Sequence, residues 1–139
     1  MYFSIGISIV HCKLKIMSRK SGHSVLLRIV WTSLLLVVIT GSLLPGDSSI
    51  MEKLDYLAVN DKLQHFLAYA ASAFVPTLHE TAAKLRVLLA LVAIMGVLLE
   101  LGQLFVPGRT CDVYDALCDG AGVLAGFLLG LPLRARVKP

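Results

Sequence analysis

The chain has 139 residues, 57% of them hydrophobic and only 16% charged, with a mean hydropathy of +0.80. Soluble domains are about 45–50% apolar and about 25% charged, so a water-soluble globule of this size is excluded and a single bilayer-embedded domain is expected. The net charge of +4 does not make a nucleic-acid-binding surface, because the basic residues flank apolar blocks instead of lining one polar face.

Residues 1–24 are expected to form a cytoplasmic N-terminal segment. Their short apolar run at residues 2–10 has no preceding basic residue and no small-residue cleavage site, so it does not read as a cleaved signal peptide. Met17, followed by Ser18, Arg19 and Lys20, reads as an alternative start, which would make residues 1–16 an over-extension. A bilayer span needs about 20 apolar residues. Residues 25–44 meet this, with Arg28 near their start and Pro45-Gly46 ending them, and residues 87–106 meet it, closed by Pro107-Gly108. Residues 116–133 are slightly shorter and are expected to stop at Pro132. Residues 63–78 are the weakest span, only 16 long, with Gln64 and His65 at the head and Pro76 near the tail.

Charge placement makes the short span necessary. Lys13, Lys15, Arg19, Lys20, Arg28, Lys84, Arg86, Arg134, Arg136 and Lys138 are ten of the thirteen basic residues, and all fall on one side if four spans cross. Basic residues favour the cytoplasmic side. The expected architecture is therefore an all-α integral membrane bundle of four transmembrane helices, residues 25–133, with both termini cytoplasmic and residues 134–139 as a basic tail. Three cysteines, Cys12, Cys111 and Cys118, without a CxxC spacing argue against a disulfide framework or a zinc cluster. Ordinary packing is preferred over a Cys111–Cys118 bond.

Ionisable groups cost about 2.5–3.5 kcal/mol each at the centre of a membrane helix, so those inside the spans carry information. Asp61, His65 and Tyr69 are spaced i, i+4, i+8 and share a helix face, as do Glu100 and Gln103 at i, i+3, and Asp115 and Asp119 at i, i+4. With Lys62, Arg109 and Asp112, they all fall at the outer side of the membrane, and no comparable cluster is expected at the cytoplasmic end. One shared polar pocket would offset each charge by a neighbour. Arg109 is the expected cation for Glu100, Asp112 or Asp115, and His65 the expected partner of Asp61 or of a carboxylate across the bundle. For single residues the competing reading is structural: capping, snorkelling or helix–helix glue, with Asp115 suited to cap the last helix. Gly122, Gly126 and Gly130, four apart, read as a small-residue packing ridge, with Ala70, Ala71 and Ala73 as its counterpart.

The run Asp61-Lys62-Leu63-Gln64-His65-Phe66-Leu67-Ala68-Tyr69, then Leu99-Glu100-Leu101-Gly102-Gln103 leading to Pro107-Gly108-Arg109, then Asp112-Val113-Tyr114-Asp115, with Gly122 and Gly126 after it, resembles the VanZ-like family. The likeness covers about residues 30–130 and includes Ser42-Leu43-Leu44-Pro45. It implies a small multi-pass protein of the bacterial cytoplasmic membrane. The family's namesake is linked to resistance to teicoplanin, a glycopeptide antibiotic that acts on lipid-linked cell-wall precursors outside the membrane. The family usually has Asn where this chain has Asp119. The added carboxylate makes the pocket more acidic, favouring a protonated carboxyl or a bound cation.

The preferred reading is non-catalytic: the pocket binds or modulates an envelope lipid, a glycopeptide or a partner, with membrane lipids as surroundings and no nucleic acid. The alternative is an intramembrane enzyme acting on a lipid head group or lipid-linked sugar, with His65 as general base and Arg109 holding a phosphate. A small transporter or channel subunit is a second alternative, disfavoured because four spans without a repeat are few. No cofactor is required, but His65, Glu100, Asp115 and Asp119 are candidate ligands for a divalent cation. His79-Glu80 lacks the second histidine of HExxH, no P-loop is present, and Ser72 and Cys118 read as packing residues rather than nucleophiles.

Overall fold

The structure, a computed structural model, describes residues 24–56 and 60–137. The expectations for the N-terminal segment and its start lie outside the described residues, apart from Ser24. The described chain is all helical: α1 (Ser24–Ser42), α2 (Ser49–Tyr56), α3 (Asp61–His79), α4 (Ala82–Gln103) and α5 (Val113–Val137). By length and composition α1, α4 and α5 can each cross a membrane. At 1.5 Å per residue, the 19 residues of α3 extend about 28 Å, close to a bilayer's hydrocarbon thickness.

Burial is inverted relative to a soluble protein. Among the described residues the buried hydrophobics are Val38, Tyr69, Ala73, Leu85 and Val92, while Ser72, Thr77, Glu80, Glu100, Gln103, Asp115 and Asp119 are buried polar groups. Leu36, Val37, Val87, Leu98, Leu117 and Leu129, among many others, lie exposed on the outside. An apolar exterior around a polar interior is stable in lipid and costly in water. Together with the apolar helices, it makes this a membrane protein.

Helices α3 and α5 form the closest pair, and α4 packs against both of them. The glycines of α5 face α3: a Cβ at Gly122 would collide with the Phe66 carbonyl, one at Gly126 with the Ala70 carbonyl, and one at Gly130 would lie 2.7 Å from Thr77 Cγ2. Bare backbone on α5 therefore lets α3 approach closely. Helix α1 joins through Val38, which forms an apolar cluster with Tyr69 of α3 and Val92 of α4, flanked by Trp31, Leu34 and Leu35.

Helix α3 begins at the Asn60 cap, whose side chain accepts from the Lys62 amide at 2.9 Å. It continues through Pro76. A proline lacks the amide that would serve the carbonyl four residues earlier, which here is Ser72. The Trp31 indole donates to that carbonyl at 2.8 Å, so a side chain of α1 completes the backbone bonding of α3.

Three expectations need correction. Helix α5 does not stop at Pro132 but runs through it to Val137, so Arg134 belongs to the helix rather than to a separate tail. Asp115 is not the cap of α5. Asp112 is, accepting from the Tyr114 amide at 2.9 Å, while Asp115 sits in the first helical turn. Finally, the end of the bundle opposite Asp61 has its own charge cluster. Glu80 Oε1 lies 3.0 Å from Arg28 Nε, 3.3 Å from His79 Nε2 and 3.4 Å from Lys84 Nζ, and Arg134 donates to the Glu80 carbonyl at 2.8 Å. Sequence spacing hides this knot because its members come from α1, the end of α3, the start of α4 with the turn between them, and α5.

Candidate functional site

The polar residues singled out from the sequence gather at the end of the bundle where α3 and α5 begin and α1 and α4 end. They form three linked groups. In the first, Lys62 Nζ donates to Asp112 Oδ2 at 2.7 Å and Asp115 Oδ1 at 3.1 Å, with the Tyr114 ring centroid 5.8 Å away. The hydrogen bond from Lys62, and after it the Tyr114 amide, hold the Asp112 carboxyl below the usual carboxylate range. Lys62, not Arg109, is thus the cation for Asp112 and Asp115. It had the weaker claim in the sequence because it lies on a different helix some fifty positions away.

The second group is buried. His65 Nδ1 lies 2.9 Å from Asp119 Oδ1 and 3.7 Å from Glu100 Oε1, with both carboxylate side chains only 4% exposed. The partner of His65 is therefore across the bundle, on α5. It is the carboxylate that stands where the resemblance leads one to expect asparagine. Glu100 Oε2 accepts from the Asp112 amide at 3.2 Å, which ties α4 to the start of α5. Its other oxygen, Glu100 Oε1, and the Tyr69 hydroxyl are buried without a hydrogen-bond partner.

The third group is Arg109, held by the turn that ends α4. Gly108, at φ +72°, is in the left-handed region that glycine tolerates. The Gly46 amide donates to the Pro107 carbonyl at 3.1 Å, and a Cβ on Gly46 would strike the Gly108 carbonyl. So the Pro-Gly turns that close α1 and α4 lock together. Arg109 then donates toward the carbonyls of Leu44 at 3.4 Å and Gly41 at 3.5 Å, lies 3.3 Å from Met51 Sδ, and reaches Asp61 Oδ1 at 3.7 Å. Gln103 stands apart from the charges: its amide donates to the Ser42 carbonyl at 3.1 Å.

A pocket of about 250 Å³ lies between α1 and α3. Leu34, Val37, Val38 and Ala68 supply its apolar lining, and Asp61, His65, Tyr69 and Arg109 its polar one. Gly41, Ser42, Met51 and Gln64 also line it. Met51 comes from α2, which no sequence signal singled out because an eight-residue helix outside the spans has no long periodicity to read. Of the ten predicted pocket residues, Lys62, Glu100, Asp112, Asp115 and Asp119 are not among the lining residues, nor is Gln103, which braces α1.

An apolar helical bundle with its polar residues gathered at one end defines the class: a small helical membrane protein. The VanZ/LLP1 family model matches residues 20–134, and the chain belongs to that family. No curated protein and no solved structure matches it.

Proposed function

We propose that the chain is a four-span protein of the bacterial cytoplasmic membrane, with both termini cytoplasmic, whose pocket takes the head group of an anionic envelope lipid or lipid-linked precursor. The observation carrying this reading is the cavity's two-sided lining, with Arg109 and His65 beside aliphatic side chains of α1 and α3. An amphiphile has the same division, a charged head on an apolar tail, and Arg is suited to phosphate oxygens. The fourth span in this reading is α3, whose His65 is turned inward to Asp119 while the half-exposed Asp61 and Lys62 lie in its first turn. The orientation rests on the basic residues Arg28, Lys84, Arg86 and Arg134 near the Glu80 end.

Native mass spectrometry of the detergent-solubilised chain with phosphatidylglycerol and with phosphatidylcholine tests the head-group reading. Retention of the anionic lipid over the zwitterionic one, lost in Arg109→Gln, supports it; equal retention in that variant refutes it. Labelling of single cysteines introduced at Lys84 and Arg109 tests the orientation, since both becoming accessible from one compartment would refute it. A catalytic variant of this reading is favoured by one observation: His65 is paired with a carboxylate at 2.9 Å beside the buried Tyr69 hydroxyl, an arrangement that suits a general base. A precursor lipid accumulating in a deletion strain supports catalysis, and an unchanged lipidome counts against it.

A further inference from the structure

We propose that His65, Glu100 and Asp119 hold a divalent metal cation of the Zn²⁺ type, at a site supplied by α3, α4 and α5. One donor atom from each lies within 4.8 Å of the others. His65 Nδ1 is 2.9 Å from Asp119 Oδ1 and 3.7 Å from Glu100 Oε1. Ligands about 2.1 Å from a tetrahedral zinc ion are separated by about 3.4 Å, a value between those two distances. Small adjustments of side chains already in place would bring all three donors within bonding distance of one ion and leave a fourth position open.

Two buried polar atoms point to something between these residues. Glu100 is 3% exposed and Tyr69 is 1% exposed, yet Glu100 Oε1 and the Tyr69 hydroxyl have no hydrogen-bond partner. A buried polar atom without a partner is costly, and more so for a charged group. Charge balance points the same way. Lys62 is engaged with Asp112 and Asp115, and Arg109 with Asp61. That leaves two buried carboxylates with one imidazole. With both carboxylates ionised, a protonated His65 would still leave an excess negative charge inside the bundle, whereas a divalent cation with a neutral imidazole makes the set electroneutral. The Asp112 amide, fixed on Glu100 Oε2 at 3.2 Å, is the kind of outer contact that orients a metal-bound carboxylate. The neighbouring triple Asp61, His65 and Asp115 is less suited, since Asp61 is half exposed and both acids already have cations. A mixed imidazole and carboxylate set suits Zn²⁺ or Mn²⁺ better than a soft or purely oxygen-seeking ion. Because His65 also lines the pocket, a phosphate oxygen could complete the coordination, a consequence that rests on the head-group reading; the metal site itself does not.

The test uses the full chain in detergent, stripped with a chelator and equilibrated with Zn²⁺ without added lipid, so that its failure is separate from failure of the head-group reading. The expected result by elemental analysis is one zinc per chain, with Glu100→Gln and Asp119→Asn weakening binding by at least about tenfold. Substitution of Co²⁺ gives an independent readout on the unaltered chain: a spectrum of nitrogen and oxygen ligation is expected. Substoichiometric zinc in the unaltered chain, thiolate charge transfer from Cys111 or Cys118, or full affinity in both folded variants would each overturn the assignment.

Discussion

Trp31→Phe tests the idea that α1 completes the backbone of α3. The Ser72 carbonyl is buried, the residue being 0% exposed, and the Trp31 indole is its donor at 2.8 Å because Pro76 supplies none. Replacing the indole by a phenyl ring keeps much of the apolar contact and removes the donor. A buried acceptor left unmade costs about 1–3 kcal/mol, and the smaller ring adds a packing loss. Pro76→Ala restores an amide four residues after Ser72, so in that background the helix itself can serve the carbonyl. Trp31→Phe is then expected to cost only the packing part. The double-mutant cycle cancels that part and isolates the hydrogen bond, with an expected coupling of about 1–3 kcal/mol. Unfolding in mixed micelles of rising denaturing-detergent fraction, followed by circular dichroism, measures all four proteins. Equal costs of Trp31→Phe in the two backgrounds would refute the reasoning, because the indole would then contribute through packing alone.

The glycines of α5 allow a comparison within one helix. Gly126→Ala forces α3 and α5 apart and is expected to destabilise by about 1–3 kcal/mol. Gly120→Ala, with nothing within 4 Å of the new Cβ, is expected to be neutral or stabilising by up to about 1 kcal/mol, and the same micelle titration checks both. At the Glu80 knot, burial pushes the carboxyl up, but the hydrogen bonds and charges of Arg28 and Lys84 outweigh it and hold it below the usual value of 4.5. A depressed folded value means that Glu80 contributes stability fully above pH 4.5 and loses it as pH falls further, through the folded value. Thermal melts are expected to show a smaller acid loss in Glu80→Gln than in the unaltered chain, and equal losses would contradict the pairing. Asn60→Ala removes the cap of α3 and is expected to cost about 1 kcal/mol in the same unfolding assay.

The membrane character and the grouping of the polar residues were legible in the sequence, because apolar length and helical spacing are local properties. Asp61, His65 and Tyr69 do share a face, and Gly122 and Gly126 do meet Phe66 and Ala70. The pairing inside the group was not legible. Arg109 was the obvious cation by proximity along the chain, yet the Pro107-Gly108 turn directs it to the ends of α1, and Lys62 reaches Asp112 and Asp115 because α3 and α5 start side by side. Pro132 signals a stop for α5 in the sequence, yet a proline in a membrane helix is tolerated and α5 continues through it. The Glu80 knot is invisible in the sequence for a related reason: Arg28, Glu80 and Arg134 are each ordinary alone and meaningful only once three distant segments converge.

The interlock of Gly46 with Gly108 has a mechanical consequence. Arg109 follows the locked turn directly and rests on the Gly41 and Leu44 carbonyls at the close of α1, where a cation also suits the helix's negative terminus. On the head-group reading, an anion entering the cavity would compete with those carbonyls for the guanidinium. Occupancy would thereby loosen the tie on the end of α1, the helix that also carries the tryptophan bonded to α3. The pocket's contents and the seam between α1 and the rest of the bundle are strung on the same line.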